Sequence, residues 1–455
     1  MDLVITIVSA VVLLGVLIFV HELGHFAVAK WAGVGVNTFS LGFGPKLWGF
    51  TRGRTEYRVS WIPLGGYVRM VGENPGQEVA AGDIPQSFSH KSVGRRLAIV
   101  AAGPAANVIF ALVVYYLLVV LWGMPAPLPP RVGQVGPHTP AAAAGMQPGD
   151  LVLSVDGRPI KDWQTMRDIV LESRGRPLRF VVRRQGRRVT LTITPKGHQV
   201  TNLFGESVVQ YRIGISREAM PFPAVVGKLV AGGPAQAAGV EVGDRIVSVD
   251  GQPVSNWGDL LRKVAAGQGK ALRLGIERRG ARLQVTVTPQ TNSYLGPDGK
   301  PRKSYSLGIL PKREFYSRSV GLLAAVPLAF KRTYQAGEVI FLTVVKLLQR
   351  KVAVKSLGGP ILIAQAAGEA AKSGLASLLG LAALISVNLA ILNLLPIPAL
   401  DGGHLFFFLI EAVIRRPVPL KVRQGAQQVG VALLLFLMAM VFYNDIERLF
   451  TNGAG

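Results

Sequence analysis

The chain has 455 residues, 49% of them hydrophobic and 17% charged, with a mean hydropathy of +0.36. That is too apolar for an ordinary soluble enzyme and too charged for a protein wholly sunk in a bilayer, so membrane segments joined to soluble domains are expected. The net charge of +24 comes from Lys and Arg spread along the chain, not gathered with aromatic residues into one module, which argues against nucleic acid and for the lipid bilayer as a partner. Cysteine is absent, which excludes disulfides and Cys-ligated zinc and leaves His, Asp and Glu as metal ligands.

The apolar run Leu3–Val20 leads straight into His21-Glu22-Leu23-Gly24-His25. Its length, the acidic Asp2 at its start and the lack of a small-residue cleavage site argue against a removable signal and for a first membrane span over residues 1–25. On a helix the H-E-x-x-H spacing projects His21 and His25 from one face, one turn apart, at two corners of a tetrahedral zinc site. Glu22 beside them is placed to take a proton from a zinc-bound water. A helix in hydrocarbon seldom carries two His and a Glu without a use.

Residues 26–96 change pattern. Thr55–Ile62 alternates, and the Gly-rich stretches Leu41–Pro45 and Leu64–Tyr67 punctuate it, so short strands joined by glycine turns are expected between Asn37 and Met70. Non-helical backbone near a membrane needs protein or a watery cavity to satisfy it. A β-hairpin lining the active cavity, with Gly66 and Tyr67 against an extended substrate strand, meets that demand. A cytoplasmic cap away from the substrate meets it too. The uncharged run Leu97–Trp122 then gives a second span, 97–123.

An internal repeat follows. Pro140 to Asp150 matches Pro234 to Asp244, Asp156-Gly157 matches Asp250-Gly251, and Trp163 matches Trp257, always 94 positions apart. The two copies predict two small α+β domains, 126–220 and 221–312. Their G-x-x-x-G-D…V-D-G pattern resembles PDZ domains of bacterial envelope proteases. By that resemblance Ile213-Gly214-Ile215 and Leu307-Gly308-Ile309 are the carboxylate-binding loops, serving either to capture a chain end or to stand in a gate that excludes bulky proteins.

Residues 313–374 contain the apolar stretches Val320–Phe330 and Val339–Leu348, interrupted by Lys331, Arg332, Glu338 and Lys346. An interfacial amphipathic region is expected here, because one more crossing would turn the next span the wrong way. That third span is 375–403, followed by a loop at 404–428, a fourth span at 429–444 and a tail at 445–455. Lys and Arg crowd the segments after spans one and three, so both termini and the repeats are expected outside and the active site near the cytoplasmic side.

Span three ends Asn393-Leu-Leu-Pro396-Ile-Pro398-Ala-Leu-Asp401-Gly402-Gly403-His404. Neither proline continues a regular helix, and the break needs a polar cavity. Asp401 at the break is the candidate third ligand, with His404 as its competitor. It would complete two imidazoles and one carboxylate, with the fourth position open. Asn393 is placed to bond a substrate strand or an oxyanion, or to cap the freed backbone.

HExxH in the first span, N-x-x-P-x-P-x-L-D-G in a later one and tandem PDZ-like repeats between them resemble the site-two protease family of intramembrane zinc metalloproteases. Gly103-Pro104 with Asn107, the stretch 66–70 and Gly358-Gly359-Pro360-Ile361 extend the resemblance over the whole chain. It implies a four-span helical membrane protein with a membrane-associated β-hairpin and two PDZ domains. The zinc ligands would be His21, His25 and Asp401, and the catalytic base Glu22. The implied substrates are single-span membrane proteins already trimmed outside the membrane, such as an anti-sigma factor or a signal-peptide remnant, in envelope stress signalling at the bacterial inner membrane.

Overall fold

The computed structural model describes residues 2–73, 79–125, 129–201, 207–217, 223–230, 232–295, 301–312, 317–349, 351–352 and 358–452. In chain order its α-helices are α1 (Asp2–Trp31), α2 (Val93–Trp122), α3 (Pro140–Ala143), α4 (Trp163–Glu172), α5 (Pro234–Ala237), α6 (Trp257–Ala266), α7 (Leu322–Leu348), α8 (Pro360–Lys372), α9 (Leu375–Asn393), α10 (Asp401–Ile414) and α11 (Leu420–Asn452). The chain divides into two units, 1–124 with 201–206 and 318–455, and 125–200 with 207–317.

Among the described residues of the first unit, four helical stretches are long and apolar enough to cross a membrane: Leu3–Trp31, Val93–Trp122, Leu375–Asn393 and Leu420–Arg448. Leu3, Val4, Ile7 and Val8 on α1 stay exposed, as suits a helix facing hydrocarbon on one side. Lipid gives helices no hydrophobic reason to associate, so close packing of small residues does that work. Gly24 of α1 lies against Ala102 and Ala106 of α2, and α9 turns Ala382, Ala383, Ser386 and Ala390 inward.

The contacts also fix direction. His25 meets Ile99 and His21 meets Asn107, so α2 runs opposite to α1. Gly380 lies nearest Leu118 while Ser386 bonds the Asn107 carbonyl, so α9 runs opposite to α2. The C-terminal end of α9 therefore returns to the level of the two histidines. Helix α7 packs along α2 and α9, and α8 packs against α1, with Gly368 on Thr6.

After the third span the structure differs from the sequence expectation in one feature. The third span stops as a helix at Asn393, and the chain turns through Pro396 and Pro398 before α10 begins at Asp401. The segment 404–428 is accordingly not an open loop: α10 continues to Ile414 and α11 starts at Leu420. Phe408 of α10 is buried in the core formed by Ala29, Val36, Ile99 and Val100, which is the tertiary reason this short helix forms.

The expected short strands are two long ones, β1 (Val36–Arg52) and β2 (Thr55–Met70), joined by a tight turn at Gly53-Arg54. Each folds back on itself. Val36–Leu41 pairs with Gly66–Met70, its Thr38–Leu41 part also pairs with Glu56–Val59, and Glu56–Val59 pairs in turn with Trp48–Thr51. Gly42 and Gly44 take positive φ near the fold of β1, where a side chain at Gly42 would collide with the Ile62 carbonyl.

The second unit holds the two repeats. Leu151–Val155, Leu178–Arg184 and Arg187–Ile193 form a sheet with Arg158–Pro159 at one edge, and the same strand order recurs 94 residues later. The cores coincide position by position: Val132, Ala141, Val152 and Phe180 in one copy, Val226, Ala235, Ile246 and Leu274 in the other. Each copy also buries an aspartate on an arginine, Asp150 with Arg184 at 2.7 Å and Asp244 with Arg278 at 2.8 Å.

Candidate metal centre and active site

Helix α1 carries His21, Glu22 and His25 on its face toward α2 and the hairpin. His21 and His25 are each only 8% exposed, with rings edge to face at 87°. Asp401 reaches them from the first turn of α10, where a carboxylate also suits the helix dipole. Its approach depends on the two glycines after it. A side chain at Gly402 would strike the Leu394 and Leu395 carbonyls, and one at Gly403 the Ile397 carbonyl and Pro398.

Asp401 Oδ2 lies 3.1 Å from His21 Nε2 and 3.4 Å from His25 Nε2, and the two Nε2 atoms are 3.2 Å apart. All three donor atoms fall within 4.8 Å of one another. Oδ2 is buried and accepts a hydrogen bond from neither imidazole. Three electron-pair donors aimed at one point, one of them a buried orphan, is what a cation relieves, and the set of two nitrogens and one carboxylate oxygen suits zinc. The His25 ring is already oriented for ligation. Its Nδ1 donates to the Ile99 carbonyl at 2.8 Å, which leaves Nε2 bare. That carbonyl is neighbour to Val100, whose own helical partner is lost because Pro104 has no N–H.

Glu22, Tyr67, Val68 and Asp401 line a cavity of about 400 Å³ with both histidines. Gly66 presses its backbone against Glu22, since a Cβ there would come within 3.0 Å of Glu22 Cγ. Tyr67 stacks on Phe43, 6.0 Å between centroids, and the Arg58 guanidinium lies over the Tyr67 ring, 5.3 Å from its centroid. The hairpin thus walls the cavity at Glu22. His404 lines the same cavity but lies outside the three converging donors. Asn393 closes α9 and is not among the cavity-lining residues.

In the first repeat, Ile213, Gly214 and Ile215 edge a groove of about 480 Å³ whose other wall is α4, with Trp163, Met166 and Val170. Gly214 has φ of 82° and lies on Thr139. In the second repeat Leu307 is buried, the Gly308 N–H bonds Ser306 Oγ at 3.1 Å, and Ile309 pairs with Leu229.

A buried ion cluster was not legible from the sequence. Arg96 of α2 grips Glu411 of α10 through both Nη atoms, at 2.7 and 3.1 Å, and Arg423 of α11 adds a third bond at 3.2 Å. Both arginines lie over the Phe408 ring. The available signal was Glu411 itself, a lone acid in the otherwise apolar second half of α10.

The sequence matches the family described as Peptidase family M50 over residues 9–437. The chain belongs to that family, the site-two proteases. It is a zinc metalloendopeptidase of the site-two type. Among its relatives, the Regulator of sigma-E protease RseP of Escherichia coli is 37% identical over 97% of this chain and 98% of its own length. Protease RseP of Yersinia pestis is 38% identical over 98% of this chain and 99% of its own. A relative from Vibrio cholerae, 35% identical over 97% and 98%, carries a zinc-metalloprotease name. Four apolar helices joined to β-sheets agree with a membrane-embedded member of this family.

Proposed function

We propose that this site-two protease cuts the transmembrane segment of single-span proteins already trimmed outside the membrane, of the anti-sigma-factor and signal-peptide-remnant type, and so releases a cytoplasmic effector in envelope stress signalling. The observation that carries this reading is the convergence of His21, His25 and Asp401 beside Glu22 in a cavity walled by a β-hairpin. The relatives named for sigma-E regulation support the signalling role.

His21 Nε2, His25 Nε2 and an Asp401 oxygen would hold zinc. Zinc so held supplies Lewis acidity, polarising a peptide carbonyl and bringing the acidity of water near neutrality. Glu22 accepts the proton released when water attacks and hands it to the leaving amide nitrogen, a contribution of about 10²–10⁴ in rate. A helical substrate hides its carbonyls in hydrogen bonds, so it must extend before it is cut. The β2 backbone at Gly66 and Tyr67 lies next to Glu22, where it could hold an extended strand, and Asn393 would act from the far side of the break.

In this reading the protein is a bacterial inner-membrane protein with both termini and the two PDZ domains outside, 313–374 at the outer face and the active site near the cytoplasmic side. The groove between Ile213–Ile215 and α4 supports capture of an extended chain end, and the Leu307–Ile309 loop is its counterpart.

The experiment is cleavage of a pre-trimmed single-span reporter by the full chain in detergent, with zinc measured in each variant. Wild type should cut, Glu22→Gln should keep zinc but lose cleavage, and Asp401→Ala should lose the metal. Cleavage by E22Q at the wild-type rate would remove Glu22 as the base, and full zinc occupancy in D401A would move the third ligand to His404.

A further inference from the structure

Asn107 has no role in the chemistry above, yet it is fully buried and touches a metal-facing histidine. Ligation through Nε2 requires that Nδ1 carry the ring proton, and so requires an acceptor beside Nδ1. For His25 that acceptor is the Ile99 carbonyl. For His21 the group beside Nδ1 is the Asn107 amide, at 3.2 Å. As drawn, the amide nitrogen faces Nδ1 while Asn107 Oδ1 is buried without a partner. An amide N–H pointing at Nδ1 would force the ring proton onto Nε2, toward His25 and Asp401, and leave no electron pair for a metal. The two amide orientations have the same shape and differ only in which atom bonds what. Turned over, the orphaned oxygen meets Nδ1–H, and both histidines are set in the same tautomer.

The surroundings hold the side chain in place for this. Asn107 lies one helical turn beyond Gly103, whose missing side chain lets α2 press on both imidazoles. Its own carbonyl receives the Ser386 hydroxyl of α9 at 2.8 Å, which ties α2 to a second span at this level. We infer that Asn107 is a positioning residue whose side-chain oxygen accepts Nδ1–H of His21 and thereby turns Nε2 toward the metal. The inference rests on the reading that His21, His25 and Asp401 hold zinc.

The test uses the full chain in detergent, with zinc affinity measured by chelator competition and the visible spectrum recorded after cobalt substitution. Asn107→Ala should bind zinc about 10- to 100-fold more weakly and shift the cobalt spectrum. Asn107→Asp, which in its ionised form can only accept, should stay outside that 10- to 100-fold loss and keep the spectrum. A purely packing role predicts the opposite order, with the buried charge of N107D worst and N107A tolerated, and that order would overturn the inference. So would wild-type zinc affinity and spectrum in N107A, which decides the matter even if N107D fails to fold. His21→Ala, measured alongside, separates the two levels: if it holds zinc as wild type does, the metal-site reading falls and the inference with it.

Discussion

Adding one methyl group at Gly103 should weaken the metal centre without touching a ligand. A Cβ there would overlap His25 Nε2 and come within 2.6 Å of His25 Cε1 and 2.8 Å of His21 Cε1. Ring atoms cannot fold away as the end of a flexible chain does, so either the imidazoles turn or α2 backs off from α1. Overpacking of this kind costs about 1–3 kcal/mol. Drawn from the bound geometry, that corresponds to roughly 5- to 140-fold weaker zinc binding, since 1.4 kcal/mol is a factor of ten. Gly94, on the same helix, has nothing within 4 Å of its would-be Cβ and is the control. Gly94→Ala should be neutral or stabilise by up to about 1 kcal/mol through helix propensity. Both variants would be compared for zinc retained against a chelator series, for reporter cleavage and for helix content. A folded Gly103→Ala that retains zinc as tightly as Gly94→Ala would refute the packing argument.

Three further outcomes follow from contacts away from the metal. Arg96→Met should destabilise the chain by about 3–5 kcal/mol, because a buried Glu411 loses its two-pronged partner, while the double variant Arg96→Met/Glu411→Leu should recover most of that; thermal unfolding in detergent reads both. Asp445 of α11 accepts N–H bonds from Gly359, Ile361 and Leu362 at 2.9, 3.0 and 3.2 Å, so Asp445→Ala should cost about 0.5–2 kcal/mol, seen as faster amide exchange over 361–372. Burial would push the Asp244 carboxyl up, but the Arg278 hydrogen bond and the Glu241 N–H outweigh it and hold it below the usual range. A depressed folded value means its stabilisation is present above the unfolded range near about 3.9 and is lost as pH falls through the folded one. Amide exchange in 245–249 and 272–278, corrected for intrinsic rates, should therefore rise on acidification below about pH 4, and Asp244→Asn should flatten that rise.

Whatever is local was legible in the sequence. The i, i+4 histidines and the prolines that stop α9 each declare themselves within a few neighbouring positions, and the repeat declares itself by matching the chain against itself at an offset of 94. What escaped depends on distant partners. Arg96 reads as one more orienting charge until Glu411, 315 residues away, closes on it. Helix α10 reads as loop because its reason for forming is Phe408 in a core built by α1, β1 and α2. The hairpin reads as short strands because its alternation is interrupted at the glycines where each long strand folds back.

Glycine and alanine are what let these distant parts meet. The metal-facing end of α1 is pressed by α2 at Gly24 and Gly103 and by the hairpin at Gly66, while Gly402 and Gly403 let the start of α10 close on its own preceding turn and so set Asp401. Each is a place where a Cβ would touch another segment's backbone or a reactive side chain. In lipid, helices gain little from burying large apolar groups against one another, so close approach must come from small residues. The same approach brings the Ile99 carbonyl and Asn107 to the outer nitrogens of the two imidazoles. The centre is therefore positioned by close contacts of α2 and the hairpin on a helix that by itself supplies only two of the three converging donors, and by the tight turn that delivers the third. A methyl group at any of them should be felt at the metal before it is felt in the fold.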